Sequence, residues 1–226
     1  MLGASGTLSG PKQNTLFNLV VELVAEALPL FAASAIKEGI RNENGYNRRL
    51  SRFITNVAVN KDLPFFAQPE NMEDETRGCS PATDIGICLQ QEDVATDPPR
   101  VALFEGKRLS KSLEKKRERE YVIGHEEKGK HICCGGLERF KLSRHGQKFN
   151  HAGMVGYMED GSPEHWQDKI NSWICELSRE QHDPTWLIEE QIGSMATKGL
   201  VTESMSILNR HDSEICLKHL WVNVAG

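Results

Sequence analysis

The sequence predicts an α/β protein of α+β-like organisation, with a mixed sheet, helices against its faces and a helical segment ahead of it. Three observations carry that expectation. Residues 15–37 and 46–58 place apolar side chains at helical spacing. Beyond residue 80, short apolar runs alternate with polar or helical stretches. Ser162-Pro163 then opens a helix in which Trp166, Ile170, Trp173, Ile174 and Leu177 form one stripe.

In chain order, residues 1–13 are small and polar and read as a flexible N-terminus. Residues 14–226 read as one domain, with helices in 14–58 and the sheet core in 80–224. The first helix, 15–37, is apolar enough to resemble a membrane span, but Asn18, Glu22 and Glu26 argue against lipid, and Pro29 interrupts the run. A broad apolar face packed on the sheet, or dimerising, fits better. Residues 46–58 form a second helix through Leu50, Phe53, Ile54 and Val57. Two strands follow, at 85–89 and 101–104, joined by the polar segment 91–99 that ends in Pro98-Pro99. The remaining expected order is a helix over the basic residues after 107, a short strand at 121–123, and a helix at 137–142. A strand at 151–158, the Ser162-Pro163 helix and a closing strand pair at 204–209 and 214–224 complete it. Glycines in 151–158 point to close approach by another element.

The strongest chemical signal is Asp84 at the head of one strand and Glu105-Gly106-Lys107 at the end of the next. Side chains at i and i+2 share a strand face, so Glu105 and Lys107 project together and Gly106 turns away. Folding 91–99 back as a hairpin connection brings Asp84 to Glu105. Two carboxylates make a hard-oxygen site for Mg²⁺, with Mn²⁺ as a substitute. Lys107 beside them would orient a water and neutralise charge developing on a phosphate. Removing either carboxylate is expected to relieve like-charge repulsion and so to preserve or raise stability.

The pattern Asp84…Glu105-Gly106-Lys107 resembles the core of the PD-(D/E)XK, restriction-endonuclease-like nuclease superfamily. The resemblance covers residues 40–224, with one departure: Thr83 precedes Asp84 and the proline lies at Pro81. It implies a mixed sheet centred on a hairpin, a crossover helix and a first helix carrying a further acid, for which Glu43 is the candidate. It also implies phosphodiester hydrolysis, with Asp84, Glu105 and the Gly106 carbonyl on the metal and Lys107 on the water. DNA is the leading substrate and RNA the alternative. By analogy the setting is bacterial genome defence or DNA processing in the cytoplasm. The chain would act as a homo-oligomer or with an ATPase or sensor protein. An idle scaffold that keeps the nuclease fold is the competing class.

Net charge is −5, so no global field draws nucleic acid, but residues 107–119 hold seven basic side chains against two acidic ones. Arg108, Lys111, Lys115, Lys116, Arg117 and Arg119 are therefore candidate phosphate contacts, with Arg139 and Lys141 from the later helix. A solvated helix face is the plain alternative for that block. No helix-turn-helix or zinc-finger pattern marks a dedicated base reader. The six cysteines lack disulfide spacing, and no signal peptide is evident, which fits reduced thiols. His131-Ile132-Cys133-Cys134 with His125 nearby does not promise zinc: adjacent cysteines chelate one ion poorly, and no second pair stands at finger spacing. The surplus of apolar residues in the first helix (Leu16, Leu19, Val20, Leu23, Val24, Leu28, Phe31) predicts assembly through residues 14–40.

Overall fold

The computed structural model describes residues 13–72, 82–91, 96–180 and 184–225. Almost all of the expected flexible N-terminus lies outside them, as do Cys79, Pro81 and residues 92–95 of the hairpin connection. The elements are α1 (Gln13–Lys37), α2 (Glu43–Asn60), β1 (Phe65–Met72), β2 (Ala82–Leu89), β3 (Arg100–Leu109), β4 (His125–Glu127) and β5 (Lys130–Ile132). They continue with α3 (Gly136–Lys141), β6 (His151–Met158), α4 (Pro163–Arg179), β7 (Ala196–Lys198), β8 (Val201–Asn209) and β9 (Glu214–Asn223). Seven strands form one mixed sheet in the order β1-β2-β3-β6-β9-β8-β7, and β4-β5 is a separate hairpin. β1, β2 and β3 run antiparallel in sequence, and β6 joins β3 in parallel after α3.

The sheet divides the core in two. On one face α1 and α2 cover Ile85, Ile87, Ala102, Phe104, Val155 and Tyr157. On the other, α3, α4 and the chain around Tyr121 and Trp186 cover Leu109, Met154, Leu217 and Trp221. Alternation along β3 places Phe104 on the first face and Leu109 on the second.

α1 runs straight through Pro29, which the sequence reading took as an interruption. Proline removes one backbone donor, and the burial of Ala27, Leu28, Phe31 and Ala32 around it holds the helix together. By length and composition α1 could cross a membrane, yet half of that window is buried inside the protein. Of the seven apolar residues taken as a surplus, Leu19 alone is exposed. α2 and the sheet together absorb the rest, so α1 is a core helix.

Three further expectations are corrected. Residues 107–119 do not form an α-helix: Lys107 and Arg108 belong to β3, and a single 3₁₀ turn covers Lys115–Arg117. Residues 121–123 are not a strand; the Tyr121 and Val122 carbonyls accept the Leu137 and Glu138 amides at the start of α3. β1, unanticipated, is an edge strand, which is where Pro69 is tolerated.

The close approach expected at residues 151–158 is present. A Cβ on Gly153 would lie 2.1 Å from the buried Phe104 ring. Gly153→Ala should therefore lower stability by about 1–3 kcal/mol, the usual range for overpacking, in urea unfolding. An unchanged midpoint would mean that β6 and Phe104 can part freely.

Candidate active site

Backbone pairing of β2 with β3 includes Ile87↔Ala102, Gly86↔Leu103 and Ile85↔Phe104. One step further, the Asp84 carboxylate takes the place of a backbone acceptor: its Oδ2 receives the Gly106 amide at 2.8 Å. On the other side of β2, Glu70, which would stand opposite Asp84, has a φ of +52° between the pairs Pro69↔Ile85 and Asn71↔Thr83. That is a local irregularity of the kind bulges make at functional positions. Amide and carbonyl of one strand residue project to the same side, so the Gly106 carbonyl also faces the Asp84 edge.

Gly106 turns away from Glu105 and Lys107, as the alternation requires. A Cβ there would meet Asn47 Oδ1 of α2 at 2.1 Å. Asn47 accepts the Tyr157 hydroxyl at 2.7 Å, which fastens α2 to the sheet at this point. Glu43 lies four residues before Asn47, on the same helix face. Asn42 caps this end of α2 by accepting the Gly45 amide. The close seat on Gly106 is thus what lets Glu43 Oε1 reach Lys107 Nζ at 2.9 Å.

Glu105 is fully buried between two cations and an imidazole. Its Oε1 lies 2.7 Å from Arg139 Nη1 and 3.1 Å from Lys107 Nζ. Its Oε2 lies 3.1 Å from His145 Nδ1 but, among the described residues, receives no well-aligned hydrogen bond. Arg139 comes from α3 and His145 from the loop that follows it.

The two carboxylates differ in charge state. Burial pushes Asp84 up to about 7, the negative Glu105 adds to the rise, and Lys107 opposes it. Burial alone would raise Glu105 too, but Lys107, His145 and Arg139 hold it well below the ordinary carboxylate range. Lys107 is held well above its ordinary value against the pull of burial by Glu105, Glu43 and Asp84. Near neutrality the site therefore has a fixed anion, a fixed ammonium and one carboxyl able to gain or lose a proton. Such divergence between paired acids is a mark of functional sites.

All four residues expected in the centre (Asp84, Glu105, Lys107 and Glu43) meet there. The basic residues do not all face solvent. Arg108 is bound through both Nε (2.8 Å) and Nη2 (2.6 Å) to Glu159, which also accepts the Tyr46 hydroxyl. Arg117 pairs with Glu120 and Arg119 with Glu176. Lys111, Lys115 and Lys116 are exposed. Lys141 cannot serve as a phosphate contact, because it is buried against Glu190, the Asn209 carbonyl and the Trp186 ring. Arg139 points to Glu105 instead of outward. His145 was not anticipated: it belongs to no periodic stripe, and only chain closure after α3 brings it to Glu105. His219 lies away from this cluster, buried between Tyr121 and Ser206.

The residues present fit a divalent cation. Asp84 and Glu105 offer hard oxygens on one strand pair, and Glu105 Oε2 is buried without an aligned donor. No protein-family model, curated protein or solved structure matches the chain.

Proposed function

We propose that this chain is a Mg²⁺-dependent nucleic-acid phosphodiesterase of PD-(D/E)XK type. The observation that carries the reading is the meeting of Asp84, Glu105, Lys107 and Glu43, from three separated segments, where the β2–β3 backbone pairing ends. The chain order supports it: α2 with Glu43, a mixed sheet built around the antiparallel β2–β3 pair, and the helix α3 on the way from β3 to β6 answer to the parts the resemblance implies. Asp84 and Glu105 would hold the ion, with the Gly106 carbonyl beside them, and a bound Mg²⁺ supplies charge neutralisation at the phosphate.

The chain's own groups do the rest. Lys107, kept protonated by Glu105 and Glu43, donates a hydrogen bond to the attacking water and faces the charge that grows on the phosphate. Glu43 fixes the ammonium in place. Arg139, a quarter exposed, is the cation nearest solvent and can turn from Glu105 to a phosphate oxygen. DNA is the leading substrate, with a role in genome defence or DNA processing, in the cytoplasm and with a partner protein or a second copy. RNA would meet the same groups.

One observation favours an idle nuclease-fold scaffold. Arg139, Lys107 and His145 already surround Glu105, so the cluster balances its own charge without a metal. Incubating the protein with plasmid, linear and single-stranded DNA and with RNA, in Mg²⁺, Mn²⁺ or EDTA, separates the two. Metal-dependent cleavage supports the enzyme, and no cleavage of any substrate supports the scaffold.

The basic loop makes a separate prediction. Replacing Lys111, Lys115 and Lys116 by alanine should weaken binding to all duplex sequences alike and flatten the log–log salt slope by about 0.9 per lost phosphate contact. Equal slopes would leave the three as solvated charges.

A further inference from the structure

We infer that Glu120, His125 and Cys134 form a second metal site, distinct from the carboxylate centre, that takes a borderline-soft divalent ion, Zn²⁺ above all. This inference does not rest on the nuclease reading.

The three ligand types come from both sides of the β4–β5 hairpin. His125 Nδ1 lies 3.4 Å from Cys134 Sγ, and Glu120 Oε1 lies 3.9 Å from each of them. All three donor atoms fall within 4.8 Å of one another. A tetrahedral zinc with Zn–S near 2.3 Å and Zn–N or Zn–O near 2.0–2.1 Å sets ligand–ligand edges of about 3.3–3.6 Å. The observed triangle, with edges of 3.4, 3.9 and 3.9 Å, is within about half an ångström of that. One sulfur, one nitrogen and one oxygen donor select zinc over Mg²⁺ or Ca²⁺, which take oxygen. Three protein ligands leave the fourth position for water.

The backbone is shaped for this meeting. A Cβ on Gly124 would lie 1.8 Å from the Ile132 carbonyl oxygen, and one on Gly135 would lie 2.4 Å from Ile123. Two chain segments therefore cross in direct backbone contact on either side of the His125–Cys134 pair. The Cys134 amide also bonds the Ile132 carbonyl at 2.9 Å. Glu120 is anchored independently: its carbonyl accepts the Gly136 amide, and its side chain is held by Arg117. The carboxylate keeps lone pairs beyond those that Arg117 takes. Glu120 is buried and the other two ligands are half-buried, so the site is sheltered but reachable.

A bound ion would tie the hairpin to the segment from which α3 departs two residues after Cys134. It would thereby steady the helix that sends Arg139 to Glu105. Adjacent Cys133 takes no part. The spacing rule that argues against a Cys133-Cys134 chelate is satisfied, because only one of the two sulfurs is used.

The test uses the full chain, stripped with chelator and dialysed against Co²⁺ or Zn²⁺. The expected result is a thiolate-to-cobalt charge-transfer band equivalent to one sulfur-ligated Co²⁺ per chain, counted apart from any Co²⁺ at the carboxylate centre, and of the same intensity in Asp84→Asn. Cys134→Ser should lose that band, and His125→Ala should weaken binding at least about 100-fold, the upper end of what a lost outer-shell partner costs. Should either variant fail to fold by circular dichroism, X-ray absorption of the wild-type zinc form decides, with one sulfur in the ligand shell expected. A shell of nitrogen and oxygen alone, or Cys134→Ser binding as wild type does, overturns the site. So does a failure of the stripped, folded protein to take up either metal.

Discussion

Glu105→Gln and Asp84→Asn should move stability in opposite directions. The first leaves Lys107, Arg139 and His145 facing a neutral amide in a fully buried place. Breaking a buried ion pair from one side costs about 3–5 kcal/mol, because the abandoned charges stay desolvated. Asp84 is the reverse case, since its folded-state value of about 7 stands above the ordinary 3.8. The folded protein holds that proton more tightly than the unfolded chain. The stability it confers is complete below about pH 4 and is lost as pH rises through 7. The side chain in Asp84→Asn would never ionise, yet its amide oxygen still accepts the Gly106 amide. At about 1.4 kcal/mol per unit, discounted for the partial exposure of Asp84, the variant should gain about 2 kcal/mol at pH 8. That gain should vanish near pH 4. Urea unfolding at both pH values checks the pair, and shifts of the same sign would mean that the charge assignment is wrong. The sequence-based expectation of relief on removing either carboxylate is thus kept for Asp84 and withdrawn for Glu105. Arg139 and His145, invisible as Glu105 partners in the sequence, reverse it for the other.

Lys107→Arg and Lys107→Met should each lower turnover on nucleic acid by about 10²–10³-fold, the scale of a lost transition-state donor. Binding of the uncut substrate should change little, because in the proposed reaction the ammonium acts on charge that appears only as the bond breaks. Arginine should not rescue. Its planar fork cannot replace a compact ammonium held between Glu43 and Glu105. A rise in the dissociation constant that matches the fall in rate would reassign Lys107 to substrate binding. Unchanged rates in both variants would make it a structural counter-ion.

The centre was legible in the sequence because it rests on strand periodicity, a short-range property. Glu105 and Lys107 share a face by alternation, Asp84 lies near the start of the neighbouring strand, and one antiparallel register brings them together. The Ser162 cap and the stripe on α4 were legible for the same reason: Ser162 Oγ accepts the His165 amide, and the five apolar side chains are buried. What escaped depends on long-range closure. Lys141 looked free, and Glu190, far along the chain, buries it. Tyr121, Val122 and Ile123 looked like a strand, but their apolar character serves burial while the Tyr121 and Val122 carbonyls start a helix. β1 was hidden by Pro69 and by the polar Gln68, Glu70 and Asn71, which an edge strand accepts. The β4–β5 hairpin was hidden by its charges. Its turn at Lys128-Gly129 has both φ values positive, a two-residue geometry that a basic residue before glycine signals only weakly.

The central claim is that Asp84 and Glu105 make a metal-dependent centre for cutting nucleic acid. The most direct test is cleavage of DNA and RNA by the wild-type protein in Mg²⁺, in EDTA and, in Mg²⁺, by Asp84→Asn. That variant removes a proposed ligand and is expected to be at least as stable as the wild type, so inactivity in a folded sample would not reflect unfolding. The expected result is cleavage by the wild type in Mg²⁺ alone, abolished by EDTA and by Asp84→Asn. Cleavage that survives EDTA, or an Asp84→Asn protein that cuts at the wild-type rate, would contradict it.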